Sequence, residues 1–142
     1  MRASETQIRI ARPDEYSRVL ALYGALGYHR AIDPADTVWL AGSMGIVRVA
    51  AENGTLVLRG MRIAEPARRQ GLGTRMLEAI AEWLQGRECY CVPYPHLVGF
   101  YGQIGFAVIE SATAPGFLAE RLADYRRSGE DVILMRRRQT LG

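Results

Sequence analysis

A glycine-rich turn between two regular elements decides the fold of this chain: Arg68-Arg69-Gln70-Gly71-Leu72-Gly73-Thr74. The apolar run over residues 55–63 that precedes it predicts a strand. The residues that follow repeat apolar side chains every three to four positions, which predicts an amphipathic helix with Gly86 as its C-terminal cap. The turn therefore opens a helix shortly after a strand.

This turn has the composition of an anion site. The first turn of a helix presents backbone N–H groups without intrahelical partners, and the helix dipole adds partial positive charge. Gly71 and Gly73 remove side chains that would keep a bulky anion away, while Arg68 and Arg69 add bidentate donors. The pattern predicts a diphosphate site, and its alternative is a glycine-rich turn with solvated arginines. It is not a dinucleotide fingerprint, which needs a further glycine upstream.

Outward from the turn, the periodicity predicts a strand, a helix, three strands, then helix and strand in alternation up to a last strand. The predicted strands cover residues 7–12, 37–41, 46–51, 55–63, 88–94, 106–109 and 131–138. The other predicted helices cover residues 13–24 (or to 27), 96–103 and 115–127. Asn53-Gly54 predicts a two-residue hairpin. This order is typical of one α/β (α+β) three-layer domain, residues 1–142, with a mixed, mostly antiparallel central sheet flanked by helices.

The charge composition excludes several classes of function. The 142 residues include 18 basic and 15 acidic ones, for a net charge of +3, and every basic residue is arginine. The absence of lysine excludes a pyridoxal-phosphate Schiff base and a P-loop lysine. Arg136-Arg137-Arg138 has acidic residues nearby in the sequence, so it predicts a solvated strand. With so small a net charge and no aromatic-rich basic face, the sequence disfavours a nucleic-acid partner.

The cysteines, the histidines and the hydropathy of the chain bear on metal binding, on the cellular compartment and on membrane association. Cys89 and Cys91 lie two apart in a strand-like run, where disulfide geometry is poor, so we expect both thiols in the core. The chain has two histidines, without metal-site spacing, so we expect no metal. Apolar runs are far shorter than the ~20 residues of a membrane span, and residues 1–12 lack the apolar block of a secretory signal. We expect a soluble, cytoplasmic protein without a membrane partner, and the sequence leaves open a homodimer.

Two motifs resemble the GNAT superfamily of N-acetyltransferases. Arg68-x-x-Gly71-x-Gly73 matches the family's R/Q-x-x-G-x-G/A motif. Phe100-Tyr101, followed by Gly105-Phe106, matches its aromatic-tyrosine pair before Gly-Phe. The motifs occur in the family's order, and the predicted elements resemble the family along nearly the whole chain. By this resemblance the chain is similar to acyltransferases that use acetyl-CoA.

The resemblance implies transfer of an acetyl group from acetyl-CoA to the primary amine of a small-molecule or peptide acceptor, by direct attack in a ternary complex. It implies that Tyr101 gives a proton or hydrogen bond to the departing sulfur. Because a phenol titrates near ~10 and a thiol near ~8.5, we expect hydrogen bonding to be the larger part. It implies backbone pairing of pantetheine with Met61 and Ile63, as an added strand. The residues that it places around the diphosphate are Arg68, Arg69, Gln70, Gly71, Gly73 and Thr74.

Several assignments stay open in the sequence. The general base is Glu52, Glu65, His96 or a water relay. Tyr94 stands where many relatives have an asparagine facing CoA, and residues 28–30 lie where the family often builds its acceptor loop. The acceptor itself is not readable. The rival functions are a non-catalytic acyl-CoA-binding or regulatory module and a nucleic-acid-interaction protein with a coincidental glycine turn.

Overall fold

Strands and helices follow one another in the order that the periodicity predicts. The structure, a computed structural model, describes residues 6–140; what the sequence predicts for residues 1–5 and 141–142 lies outside them. The chain divides into two units, Met1–Trp83 and Leu84–Gly142. The strands are β1 (Ile8–Ile10), β2 (Thr37–Ala41), β3 (Gly45–Glu52), β4 (Thr55–Ile63), β5 (Cys89–Cys91), β6 (Phe106–Val108) and β7 (Met135–Arg137). The helices are α1 (Tyr16–Ala25), α2 (Leu72–Leu84), α3 (Val98–Gly102) and α4 (Gly116–Arg127).

The first unit is built on an antiparallel meander of β1, β2, β3 and β4. Asn53 and Gly54 join β3 to β4 with φ angles of 51° and 76°, as the predicted two-residue hairpin requires. The register shifts where β3 meets β4: Ile46 faces Arg62 and Arg48 faces Arg59. Two residues of β4, Gly60 and Met61, therefore oppose one residue of β3. This is a β-bulge, a device that bends a strand locally.

The two faces of this meander bury different helices. On one face, Val19 and Tyr23 of α1 pack in a core cluster with Leu40 and Ile46. On the other face, Trp39 meets the ring of Trp83 of α2 edge-on, at 5.2 Å between centroids. Alternate residues of a strand point to opposite faces, which is why Trp39 and Leu40 contact different helices.

The second unit pairs β7 with both β5 and β6, antiparallel in each case. The predicted strands over residues 88–94 and 131–138 are too long, since pairing of β5 with β7 stops at Cys91 and Met135. One further bond runs from Ile133 N to Pro93 O at 2.9 Å. Pro93 has no N–H to return, so the ladder cannot continue through it.

The end of α2 also differs from the prediction. Gln85, with a φ of 54°, takes the left-handed conformation that the sequence predicts for Gly86. Gly86 is needed for space instead, because a Cβ atom there would stand 2.8 Å from the carbonyl oxygen of Thr140. The glycine that the sequence marks as a cap is therefore a close-packing position.

The predicted fold class is confirmed: α/β, with a mixed, mostly antiparallel sheet and flanking helices. The thiols of Cys89 and Cys91 are both buried, as predicted. Burial raises the pKa of the Cys91 thiol well above its ordinary value. Within residues 6–140, no helix is long and apolar enough to cross a bilayer.

Candidate active site

The glycine-rich turn follows the end of β4, where backbone hydrogen bonds fix the path of the chain. Ala64 N donates to Met44 O at 2.7 Å, and a 3-10 turn over Glu65–Ala67 follows, with Ala67 buried. Arg69 and Gly71 then both adopt positive φ, at 63° and 79°. Two left-handed residues so close together reverse the chain sharply, and this reversal starts α2 at Leu72.

The start of α2 is open on its outer side. The first bond of the helical ladder runs from Arg75 N to Gly71 O at 3.1 Å, so the amides of Leu72 and Gly73 lie ahead of it at the electropositive end. A Cβ atom built on Gly71 would meet no atom within 4 Å. Leu72 is 1% exposed and anchors the turn from the inside. This arrangement leaves room for an anion and fits the predicted diphosphate site.

Two exposed side chains of the turn donate hydrogen bonds to backbone carbonyls of the segment just before it. Arg68 Nε donates to Ile63 O at 3.0 Å, and Gln70 Nε2 donates to Pro66 O at 2.7 Å. The Gln70 amide therefore shapes the turn. In Arg68 the bond uses Nε, which leaves the two Nη groups at the exposed end of the side chain.

The β4 backbone that the resemblance assigns to pantetheine already accepts bonds from arginines. Met61 O accepts from Arg62 Nη1 at 2.9 Å, and Ile63 O accepts the bond from Arg68. A carbonyl oxygen has two lone pairs, so each retains capacity for a second donor. Both residues are half-buried, at the bulge and at the end of β4.

In the second unit, Tyr101 of α3 is 6% exposed and is held between two aromatic rings. The ring of Phe100 meets it edge-on at 5.0 Å, and that of Phe106 at 6.1 Å. The two halves of the second motif thus form one aromatic cluster. Such edge-to-face contacts fix the direction of the phenol ring.

The three candidate bases differ in their surroundings. Glu52 forms an ion pair with Arg59 at 2.9 Å, whereas Glu65 is exposed in the 3-10 turn. His96 is exposed and stacks on the ring of Tyr94 at 6.1 Å between centroids. The Tyr94 hydroxyl in turn donates to Glu130 at 2.5 Å. The pairing of Glu52 makes it the most constrained of the three.

Sequence reasoning missed a buried polar cluster beside the bulge. Arg48 is 1% exposed, and its Nε donates to Asp36 Oδ2 at 3.0 Å. Its guanidinium carbon lies 5.6 Å from the ring centroid of Tyr23 and 5.1 Å from that of Tyr28. Burial raises the pKa of Tyr23 to about 12, so its hydroxyl keeps its proton at neutral pH. The available signal was an arginine inside an otherwise apolar strand.

A family comparison agrees with both motifs. The model of the acetyltransferase (GNAT) family matches residues 4–106, which include the glycine-rich turn and the aromatic cluster. The chain belongs to the GNAT family. This family consists of acetyltransferases, so the acyltransferase class predicted from the sequence is confirmed. No curated protein matches the chain by sequence.

Solved structures share the GNAT fold over nearly the whole chain. N-acetylglutamate synthase from Neisseria gonorrhoeae, solved with coenzyme A and N-acetyl-glutamate, has a TM-score of 0.66 and is 18% identical over 96% of this chain. That match covers 36% of the synthase, so this chain spans about a third of its length. A GNAT acetyltransferase from Streptococcus pneumoniae has a TM-score of 0.63, with 19% identity over 93% of this chain and 98% of the other.

A third structure is Naa50 from Arabidopsis thaliana, in complex with the bisubstrate analogue CoA-Ac-MVNAL. Its TM-score is 0.57, with 12% identity over 91% of this chain and 97% of the other. At these identities the three likenesses establish the fold of the GNAT chain.

Proposed function

We propose that this GNAT protein transfers an acetyl group from acetyl-CoA to a primary amine, by direct attack of the amine in a ternary complex. The observation that carries the proposal is the open, electropositive start of α2 at Gly71, beside Arg68 and Arg69. Its fit to a diphosphate supports CoA as the donor. The N. gonorrhoeae synthase was solved with coenzyme A, which supports the same donor.

The first unit would hold the donor. The amides at the start of α2, with Arg68, Arg69, Gln70, Gly71, Gly73 and Thr74, would bind the diphosphate, and the backbone of Met61 and Ile63 would pair with the pantetheine arm. When bound, acetyl-CoA supplies the acetyl group as a thioester. The remaining lone pair on each of the two carbonyls supports this pairing.

Tyr101 would act on the sulfur that leaves. A neutral phenol donates a hydrogen bond to developing thiolate charge, and a ring fixed by Phe100 and Phe106 needs no reorganisation to do so. Because the phenol is the weaker acid, stabilisation by the hydrogen bond outweighs full proton transfer. Tyr101 is therefore the residue we assign to chemistry.

The acceptor must lose a proton before or during its attack. The candidates remain Glu52, Glu65, His96 and water, and the ion pair with Arg59 holds the Glu52 carboxylate in one position. Amino-acid and peptide groups appear in the complexes of the N. gonorrhoeae and Arabidopsis proteins, which supports a small-molecule or peptide acceptor here.

Two measurements test the proposal. Acetyl-CoA should stabilise the native protein by about 2.7 kcal/mol at one hundred times its dissociation constant, which a melting scan detects. A panel of amines, followed by release of free thiol from acetyl-CoA, should then contain an acceptor. Stabilisation without any thiol release would favour the non-catalytic module, whereas absence of stabilisation would refute both readings.

A further inference from the structure

Two buried polar groups beside β4, the Tyr23 hydroxyl and the Arg48 guanidinium, interact with each other, but the proton of that hydroxyl has no acceptor because a guanidinium only donates. The hydroxyl of Tyr23 and Nη1 of Arg48 are both fully buried, and within residues 6–140 neither makes a hydrogen bond of good geometry to an acceptor. Buried donors are normally satisfied, and leaving one without an acceptor is costly. The pair therefore points to an acceptor atom that binds here.

Both atoms occupy the space directly above Gly60. A Cβ atom built on Gly60 would stand 2.5 Å from Arg48 Nη1 and 2.8 Å from the Tyr23 hydroxyl. Gly60 belongs to the bulge and has a φ of 66°, which favours glycine. The missing side chain lets the two donors converge on one place at the strand.

A third group of the cluster is the guanidinium of Arg62. It lies 4.9 Å from the ring centroid of Tyr28, the same ring that Arg48 approaches at 5.1 Å. Arg62 is half-buried and donates from Nη1 to Met61 O. Among the described residues, no carboxylate forms an ion pair with it.

The two arginines of the cluster differ in their counterions. Asp36 neutralises Arg48, with which it forms a buried ion pair at 3.0 Å. Asp33 and Glu52 also lie near Asp36, but Arg62 forms no ion pair with a carboxylate of the described residues, so its own positive charge lacks a direct counterion. A monoanion would balance that charge, and a carboxylate offers up to four lone-pair sites and matches the guanidinium fork.

We propose that Tyr23, Arg48 and Arg62 bind the carboxylate of the amine acceptor, which makes the acceptor an amino acid or a comparably small amine with an adjacent carboxylate. This inference rests on the proposed acetyl transfer. Gly60 and Arg62 flank Met61, whose backbone is assigned to the pantetheine arm, so a carboxylate held here brings its amine to the same strand.

The ring of Tyr28 lies over the two guanidinium groups of this site. Its ring is 7% exposed and lies against both guanidinium groups. It directly follows Gly27, whose φ of 81° turns the chain after α1. An entering carboxylate displaces this ring from the donors or binds at its edge.

Binding is measured first, on the full chain saturated with CoA. The probes are the common L-amino acids and their α-carboxamides at millimolar concentration, and the readout is the melting temperature. We expect at least one amino acid to raise it while the matching carboxamide does not. The carboxylate site is wrong if no amino acid raises it, or if the carboxamides act equally.

Tyr23→Phe then separates a ligand site from a structural role. Tyr23→Phe keeps the ring, its burial and its contact with the Arg48 guanidinium, and removes a hydroxyl whose proton has no acceptor, so the melting temperature without amino acid should change little. Affinity for the amino acid should fall roughly tenfold or more, as expected for a hydrogen bond to a charged group. Unchanged affinity would mean that the hydroxyl faces an ordered water only, and would overturn the assignment.

Arg62→Gln tests the charge that lacks a direct counterion, with Arg59→Gln as its matched control in the same strand. Arg59 already pairs with Glu52 at 2.9 Å, so it is not free for an acceptor. In Arg62→Gln, the value of kcat/KM for the amino acid divided by that for its carboxamide should be lower than in the parent. In Arg59→Gln, this ratio should be the same as in the parent. Equal effects of the two variants would contradict a site at Arg62.

Failure of this site and failure of acetyl transfer are distinguishable. Stabilisation by acetyl-CoA and thiol release with any amine test the transfer alone. A protein that acetylates carboxamides as well as amino acids keeps the proposed function and loses the carboxylate site.

Discussion

Arg68 donates a hydrogen bond from Nε to the carbonyl oxygen of Ile63, at 3.0 Å. The bond ties the first residue of the glycine-rich turn to the last residue of β4, five positions earlier. It orients the guanidinium while its Nη groups stay at the exposed end. One arginine thus connects the strand assigned to pantetheine with the helix start assigned to the diphosphate.

Arg68→Ala should weaken CoA binding by about 1–3 kcal/mol, the range for a charge-assisted contact. Arg68→Lys keeps the charge but lacks the fork and the Nε donor, so we expect it to restore part of the loss. Isothermal titration with CoA measures both variants, and Arg127→Ala, at an exposed arginine of α4, is the control. Parental affinity in Arg68→Ala would remove this side chain from the site.

Gly71→Ala should lose CoA affinity beyond its effect on stability. The new Cβ meets no protein atom, so the cost to folding is the positive φ alone, roughly 1–2 kcal/mol. Gly54→Ala is a matched control, because Gly54 has a φ of 76° and equally open space in the hairpin. Both variants should lose similar melting temperature, and only Gly71→Ala should bind CoA more weakly. Equal CoA affinity in the two would argue against a diphosphate at the turn.

Local signals account for the parts of the fold that were predictable. The hairpin at Asn53-Gly54 and the boundaries of β4 and α2 follow from turn chemistry and periodicity within a few residues. The short β7 does not, because its pairing is ended by Pro93 of a distant segment. The predicted cap at Gly86 is wrong for the same reason, because the contact of Gly86 with Thr140 is equally non-local.

In the candidate site, too, the parts that are local in sequence could be predicted and the parts that depend on tertiary structure could not. The turn around Gly71 and the Tyr101 motif are contiguous in sequence, so they are recognisable before folding. The cluster of Tyr23, Arg48 and Arg62 comes from three separate elements, and the bulge at Gly60 brings it together. An arginine within an apolar strand hints at a buried charge, but its partner Asp36 is set by tertiary structure.

We expect protonation of Glu15 to lower the free energy of unfolding at acidic pH. Its carboxylate accepts two bonds from Arg9, at 2.7 Å each, and one from Arg12 N at 3.0 Å. These contacts, that of Arg9 first, lower the pKa of Glu15 from 4.5 to about 2. Because the pKa of Glu15 is lower in the native protein than in the unfolded chain, the charged carboxylate stabilises the native state at pH values above about 4.5. This stabilisation is lost as the pH falls from about 4.5 towards about 2.

The measurement is the melting temperature of the parent and of Glu15→Gln across this pH range. The parent should melt higher at neutral pH, and the difference should shrink as Glu15 becomes protonated near pH 2. A difference that is constant with pH would show that the ion pair with Arg9 makes no such contribution.

Asp36→Asn should be among the most destabilising single changes in the first unit. It leaves the guanidinium of Arg48 buried without its counterion, for which we expect about 3–5 kcal/mol. The half-exposed pair of Glu52 and Arg59 is the comparison, and Glu52→Gln should cost at most about 1 kcal/mol. Chemical denaturation of both variants gives these free energies of unfolding, and similar values for the two would contradict a buried charge at Arg48.

Tyr101→Phe separates chemistry from binding. The change removes one hydroxyl and keeps the ring contacts with Phe100 and Phe106, so folding and CoA affinity should change little. If the hydroxyl stabilises the departing sulfur, turnover should fall on the order of 10²-fold or more while the KM for acetyl-CoA stays the same. Steady-state kinetics with an acceptor from the amine panel measures both, and Tyr125→Phe on α4 is the control for loss of a tyrosine hydroxyl. A Phe variant that turns over at the parental rate would make Tyr101 a packing residue, and the catalytic assignment would then be wrong.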